Sequence, residues 1–146
     1  MTIRIASLAA LSLAGLMLAS APAYAEIIDM SAMLNGASEV PATDSAATGE
    51  LKATYDTDTM ELKWTITYDG LTGEPTAAHF HGPADATANA SPTVPIEGAL
   101  ASPIEGTATL TEEQAGQLQE GMWYFNIHTA AHPDGEIRGQ VTAAAM

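Results

Sequence analysis

The sequence predicts an all-β domain, and three observations carry that prediction. Two runs alternate polar and apolar residues around a short polar turn, further strand-length segments follow at short intervals, and only one stretch has the punctuation of a helix. Seven or so short strands at this spacing make a sandwich or a barrel, with one short connecting helix.

Residues 1–25 read as an address and not as part of that domain. Arg4 gives a positive start, residues 5–19 are an apolar run, and Ala23-Tyr24-Ala25 supplies the small-x-small pattern of a signal-peptidase site. The run is short for a membrane span, which needs about 20 residues. The expectation is therefore a cleaved signal peptide and a periplasmic or secreted protein with no membrane attachment after cleavage. Residues 26–32 follow as a short lead-in, a tether or a first strand, and residues 33–146 form the domain.

Within the domain, residues 49–55 (GELKATY) place Leu51, Ala53 and Tyr55 on one face. Residues 56–59 (DTDT) are turn chemistry, because an Asp side chain there can accept from nearby backbone N–H groups. Residues 60–68 (MELKWTITY) put Met60, Leu62, Trp64, Ile66 and Tyr68 opposite Glu61, Lys63, Thr65 and Thr67, which completes a hairpin. Gly70, Gly73 and Pro75 interrupt the chain, and residues 77–81 resume an extended strand. Residues 82–95 hold three prolines in a small polar stretch and read as a surface loop. Residues 105–110 form another strand. Residues 111–119 (TEEQAGQLQ) are the helix, with Thr111 as N-cap, Glu112 and Glu113 in its first turn and Gly121 beyond its end. Residues 123–128 and 136–142 close the domain as two strands.

Composition restricts the chemistry. The chain of 146 residues carries 18 acidic against 4 basic side chains, a formal charge of −14, and losing Arg4 with the leader moves this to −15. Nucleic acid and anionic lipid need basic patches, so neither is expected as a partner. There is no cysteine, which removes disulfides, thiolate metal sites and thiol catalysis. Four histidines are left as the unusual resource.

His79 and His81 lie one residue apart in a predicted strand, so both rings share a face while Phe80 points into the packing. His128 ends the strand of residues 123–128, and His132 opens His132-Pro133-Asp134-Gly135, a type I turn with Pro at its second position. If the two strands are neighbours, three or four imidazoles converge. An imidazole site without thiolate suits copper(II), zinc or nickel, with copper favoured by the affinity order, so His79, His81, His128 and His132 are the candidate ligands. The competing reading is structural: histidines at strand ends also hydrogen-bond loop backbone. Asp85, Asp134 and Glu136 are near enough in sequence to orient ligand rings, although in so acidic a chain each reads first as a surface charge. Glu39 reads as a carboxylate tied to nearby backbone or to Arg138, and Arg138, the single arginine after the leader, as the anchor of a buried ion pair. Trp64 and Trp123 read as core.

The residues also carry a family resemblance. Residues 34–41 (LNGASEVP) with Ala47-Thr48-Gly49, residues 68–73 (YDGLTG), residues 77–84 (AAHFHGPA), Asn126-Ile127-His128-Thr129 and residues 135–141 (GEIRGQV) resemble, in order, the CHRD domain named after chordin. The resemblance spans roughly residues 33–142. It implies an all-β domain with an architecture similar to the Greek-key sandwich of copper/zinc superoxide dismutase, which also carries a His-x-His pair on a strand. On this resemblance His79, His81 and His128 match the family's histidines, whereas His132 falls where the pattern is loose. Three functions follow as expectations: an exported copper- or zinc-binding protein, a metal-independent interaction or adhesion module, and, ranked below both, an enzyme of the dismutase type.

Overall fold

Alternation along each segment determines which residues turn inward, and the sheet follows from it. The computed structural model describes residues 24–144; the predicted leader falls outside them except for Tyr24 and Ala25. Eight strands form: β1 (Ile27–Asn35), β2 (Thr48–Asp56), β3 (Glu61–Asp69), β4 (Pro75–His81), β5 (Pro92–Pro95), β6 (Ile104–Thr109), β7 (Trp123–Thr129) and β8 (Ile137–Ala143). One helix, α1 (Glu112–Gln119), links β6 to β7. All pairings are antiparallel, in the order β5-β4-β7-β8-β1-β2-β3-β6. The sheet folds over on itself into a nearly closed barrel or sandwich, with Trp64 of β3 and Phe80 of β4 in edge contact across the core, 5.2 Å between centroids.

The predicted hairpin is β2–β3, paired over its whole length from Thr48↔Asp69 to Asp56↔Glu61. Its turn is closed as the sequence implies: Asp56 Oδ1 accepts from the N–H groups of Asp58 and Thr59 at 2.8 and 3.1 Å. Leu51, Leu62, Ile66, Phe80, Phe125, Ile127 and both tryptophans fill the core. Burying each such side chain contributes about 1.5–3 kcal/mol relative to leaving it in water. The helix is capped reciprocally. Thr111 Oγ1 accepts from Gln114 N–H, and Gln114 Oε1 accepts from Thr111 N–H. Ala115 and Leu118 alone of the helix are buried, as suits a connector.

Two expectations change. Residues 27–32, read as a lead-in that is either a tether or a first strand, are the strand: they belong to β1, which pairs with both β2 and β8 in the middle of the sheet, and its inward Met30, Ala32 and Leu34 are buried. The polar content of that segment lies on the outward positions, which is why it also reads as a tether. Residues 82–95, taken as loop, end in the edge strand β5, paired only with β4. Pro92 and Pro95 are tolerated there because an edge strand can do without some of its N–H donors. No helix of the described residues is long and apolar enough to cross a membrane.

Candidate metal centre

The period of two that buries Phe80 and Phe125 sends His79, His81, Tyr124, Asn126, His128, Arg138 and Gln140 to the outer face of β4, β7 and β8. Such a face is normally wet. Here the loop of residues 82–91 and the segment after β1 lie over part of it, and Asn89 joins the two by donating to the Val40 carbonyl. Tyr124, Asn126, His81 and Arg138 are all buried in consequence.

Arg138 makes no ion pair among the described residues, contrary to the sequence expectation. Its guanidinium donates to Asn89 Oδ1, Asp85 O and Ala88 O at 2.9–3.1 Å and lies 3.4 Å from the Tyr124 ring centroid. Loop carbonyls and an aromatic face take the place of a carboxylate because the loop crosses directly above it. On the other side of Tyr124, His81 from β4 stacks at 4.7 Å with 3° between the planes. This column of arginine, tyrosine and histidine fixes the His81 ring.

Three of the four predicted ligands come together. One ring nitrogen each of His79, His81 and His128 lies within 4.8 Å of the others, and His79 Nδ1 stands 3.2 Å from His128 Nε2. A tetrahedral ion with metal–nitrogen bonds of about 2.0–2.1 Å holds its ligand nitrogens about 3.3 Å apart, so that pair is already at ligand spacing. Two rings are oriented by backbone carbonyls, which can only accept. His128 Nδ1–H donates to Pro133 O at 2.9 Å, and His81 Nδ1–H donates to Ala90 O at 2.8 Å. Each bond fixes the tautomer that leaves Nε2 with a free lone pair, the arrangement that metal-bound histidines generally share. His81 Nε2 faces the Asn126 side chain at 2.9 Å. With Nδ1 carrying the proton, that contact is favourable when the amide turns its NH₂ to the ring. Burial lowers the pKa of both His79 and His81, and the neighbouring histidines lower them further. The rings are thereby held neutral, the form that binds metal.

His132 is elsewhere. It closes a tight turn with Thr129 through reciprocal backbone bonds, and its side chain is not part of the cluster. It borders a separate cleft together with Glu39, Asp134 and Asp44. Asp85 and Asp134 are exposed, and Asp85 accepts from Thr87 within its own turn.

Glu136 is not the surface charge it resembles in sequence. It is completely buried and accepts from Ser45 Oγ, Thr72 N–H, Thr72 Oγ1 and Thr129 Oγ1 at 2.6–2.9 Å. Burial alone would raise its pKa; these four bonds outweigh that and bring it to about 2. Glu39 is the opposite case. It too is buried, but its Oε1 has no hydrogen-bond partner. Burial raises its pKa to about 7 against the weaker pull of Arg138, the Asn126 amide and the Val40 backbone.

Asn126, Tyr124, Ala90 and Pro133 are the supports that the sequence reading left out. Asn126 was within reach of it, since alternation from His128 puts it on the same face. The two carbonyls were not, because no residue type announces a backbone acceptor.

An antiparallel eight-stranded barrel or sandwich with three imidazoles gathered on its outer face defines the class. Residues 30–141 match the family model described as CHRD domain, and the chain belongs to that family. No curated protein and no solved structure matches the chain.

Proposed function

We propose that this CHRD-domain protein binds a transition-metal ion, copper(II) or zinc, through His79, His81 and His128 in the periplasm or the external medium. The observation that carries the reading is the convergence of three ring nitrogens, two of them on rings whose tautomer is set by a backbone carbonyl. Copper stands above zinc for an imidazole site on intrinsic affinity. Export rests on residues 1–25, and N-terminal sequencing of the secreted or periplasmic product tests it, with Glu26 as the expected first residue.

The site is tested by titrating the purified protein with copper(II) or zinc against a chelator of known affinity. His79→Ala and His128→Ala should each weaken binding at least tenfold, and His132→Ala should leave it within about twofold. Unchanged affinity in the His79→Ala/His128→Ala double variant overturns the assignment.

A metal-independent interaction module is the second reading, favoured by one contact: both nitrogens of His81 have partners within the protein. An unchanged melting temperature on adding either metal would support it, because a ligand that binds the native state stabilises it. Dismutase-type catalysis ranks lower. Guiding an anion to a chain this acidic needs a local positive field, yet Lys52 and Lys63 stand on β2 and β3, in the other half of the sandwich, and Arg138 is buried.

A further inference from the structure

The cleft between the segment after β1 and the His132–Gly135 turn has a volume of about 440 Å³. Its inner wall includes Glu39, 7 % exposed, whose Oε1 is buried with no hydrogen-bond partner. A buried carboxylate oxygen without a donor costs about 1–3 kcal/mol or more, so native structures seldom leave one without reason. Arg138 does not supply the donor: its N–H groups are spent on Asn89, Asp85 and Ala88, and no Arg138–Glu39 contact falls within salt-bridge distance. Gly135 packs directly on Glu39 Oε1 with a φ of +130°, a conformation and a clearance that a side chain at this position would forbid. The cleft is thus shaped around the carboxylate. Asp44, Asp134 and His132 stand around it, and none of the three cations of residues 26–146 lines it.

We propose that this cleft is a binding site for an alkyl ammonium or guanidinium group, which reaches the Glu39 carboxylate by displacing the Gly135 turn that closes over Oε1, while its chain passes Asp134 and Asp44. A bare metal ion fits less well. Among the described residues, the group of three His, Asp or Glu ligand atoms within 4.8 Å is the histidine trio and includes none of these side chains. An organic cation spans such a gap with its own length and supplies several donors at once. No ligand histidine lines the cleft, and Pro133, whose carbonyl orients His128, borders it.

The test is calorimetric titration of the purified protein, with chelator present to keep the histidine cluster metal-free. Putrescine and agmatine represent free amines, and N-acetyl-lysine amide and N-acetyl-arginine amide represent a partner's side chain. Saturable binding of either pair is expected, the preferred pair identifying the source. Glu39→Gln should weaken it tenfold or more, and Asp134→Asn two- to threefold. Because the Glu39 pKa is about 7, binding at pH 7 should release about half a proton per ligand, read from the dependence of the heat on buffer ionisation. Should Glu39→Gln fail to fold, amide shifts in the wild-type spectrum decide: they should concentrate at residues 39–44 and 131–135. No binding by any probe, binding unchanged in Glu39→Gln, shifts centred elsewhere, or preference for calcium over all four probes overturns the proposal.

Discussion

Replacing Glu136 by Gln keeps the shape of the side chain and removes its charge. The carboxylate accepts four hydrogen bonds from three separate segments, the one around Ser45, the one around Thr72 and the end of β7. Its pKa falls from 4.5 to about 2 in the folded protein, and each unit is worth about 1.4 kcal/mol. The ionised form therefore contributes about 3 kcal/mol at pH 7. A depressed carboxylate pKa gives stability that is complete above the unfolded value and is lost as pH falls through the folded one. By the same linkage about 1.4 kcal/mol of it remains at pH 3. Urea unfolding followed by the fluorescence of the buried Trp64 and Trp123 gives both numbers directly. Glu136→Gln should cost about 3 kcal/mol at pH 7 and about half that at pH 3. A loss below about 1 kcal/mol at pH 7, or a loss equal at the two pH values, refutes the account, because it would mean the bonds stabilise equally well without the charge.

Glu39 should act in the other direction. Its raised pKa makes a contribution that is present below pH 4.5 and lost as pH rises towards about 7, so Glu39→Gln should be more stable than wild type at pH 8 by up to about 3 kcal/mol and equal to it near pH 4; a variant less stable at pH 8 contradicts this. Long-range ¹⁵N spectra at pH 7.5 should show His81 and His128 protonated at Nδ1 and bare at Nε2 before metal is added, and a proton on His128 Nε2 would remove the basis of the ligand geometry. Thr111→Ala breaks the capping box of α1 and should cost about 1 kcal/mol in the same urea assay, with no effect on metal affinity; a change in affinity would mean the helix is coupled to the site.

Much of this molecule was legible from alternation alone. Where one face of a strand is buried and the other wet, as in residues 49–55 and 61–68, the period of two is written directly in the residue types, and the β2–β3 pair follows. The same rule placed His79 and His81 on one face, and His128 joins them because β4 and β7 are neighbours. It failed where burial is two-sided. The outer face of β7 and β8 is covered by a loop, so Tyr124, Asn126 and Arg138 are buried polar residues and give no apolar period. Glu136 and Glu39 show the remaining difficulty. Both are buried carboxylates, yet one has four donors and the other none on Oε1, and nothing within a few residues of either distinguishes them. Their partners at Ser45, Thr72 and Thr129 lie 91, 64 and 7 residues from Glu136, distances at which sequence gives no local signal. His132 was included for its nearness to His128, but the proline turn that follows carries it away from the other three rings.

The position of β8 has a consequence for how the chain is made. The strand nearest the C-terminus is the one that joins β7 to β1 in the centre of the ladder. Until residues 137–143 are available, the ladder is at most two separate fragments, β5-β4-β7 and β1-β2-β3-β6, which meet only by packing across the core, as Trp64 and Phe80 do. The hydrogen-bonded ladder becomes continuous only when β8 enters it. His79, His81 and His128 all lie in the first of these fragments, on the paired strands β4 and β7, so the three rings can share a face before the ladder is joined.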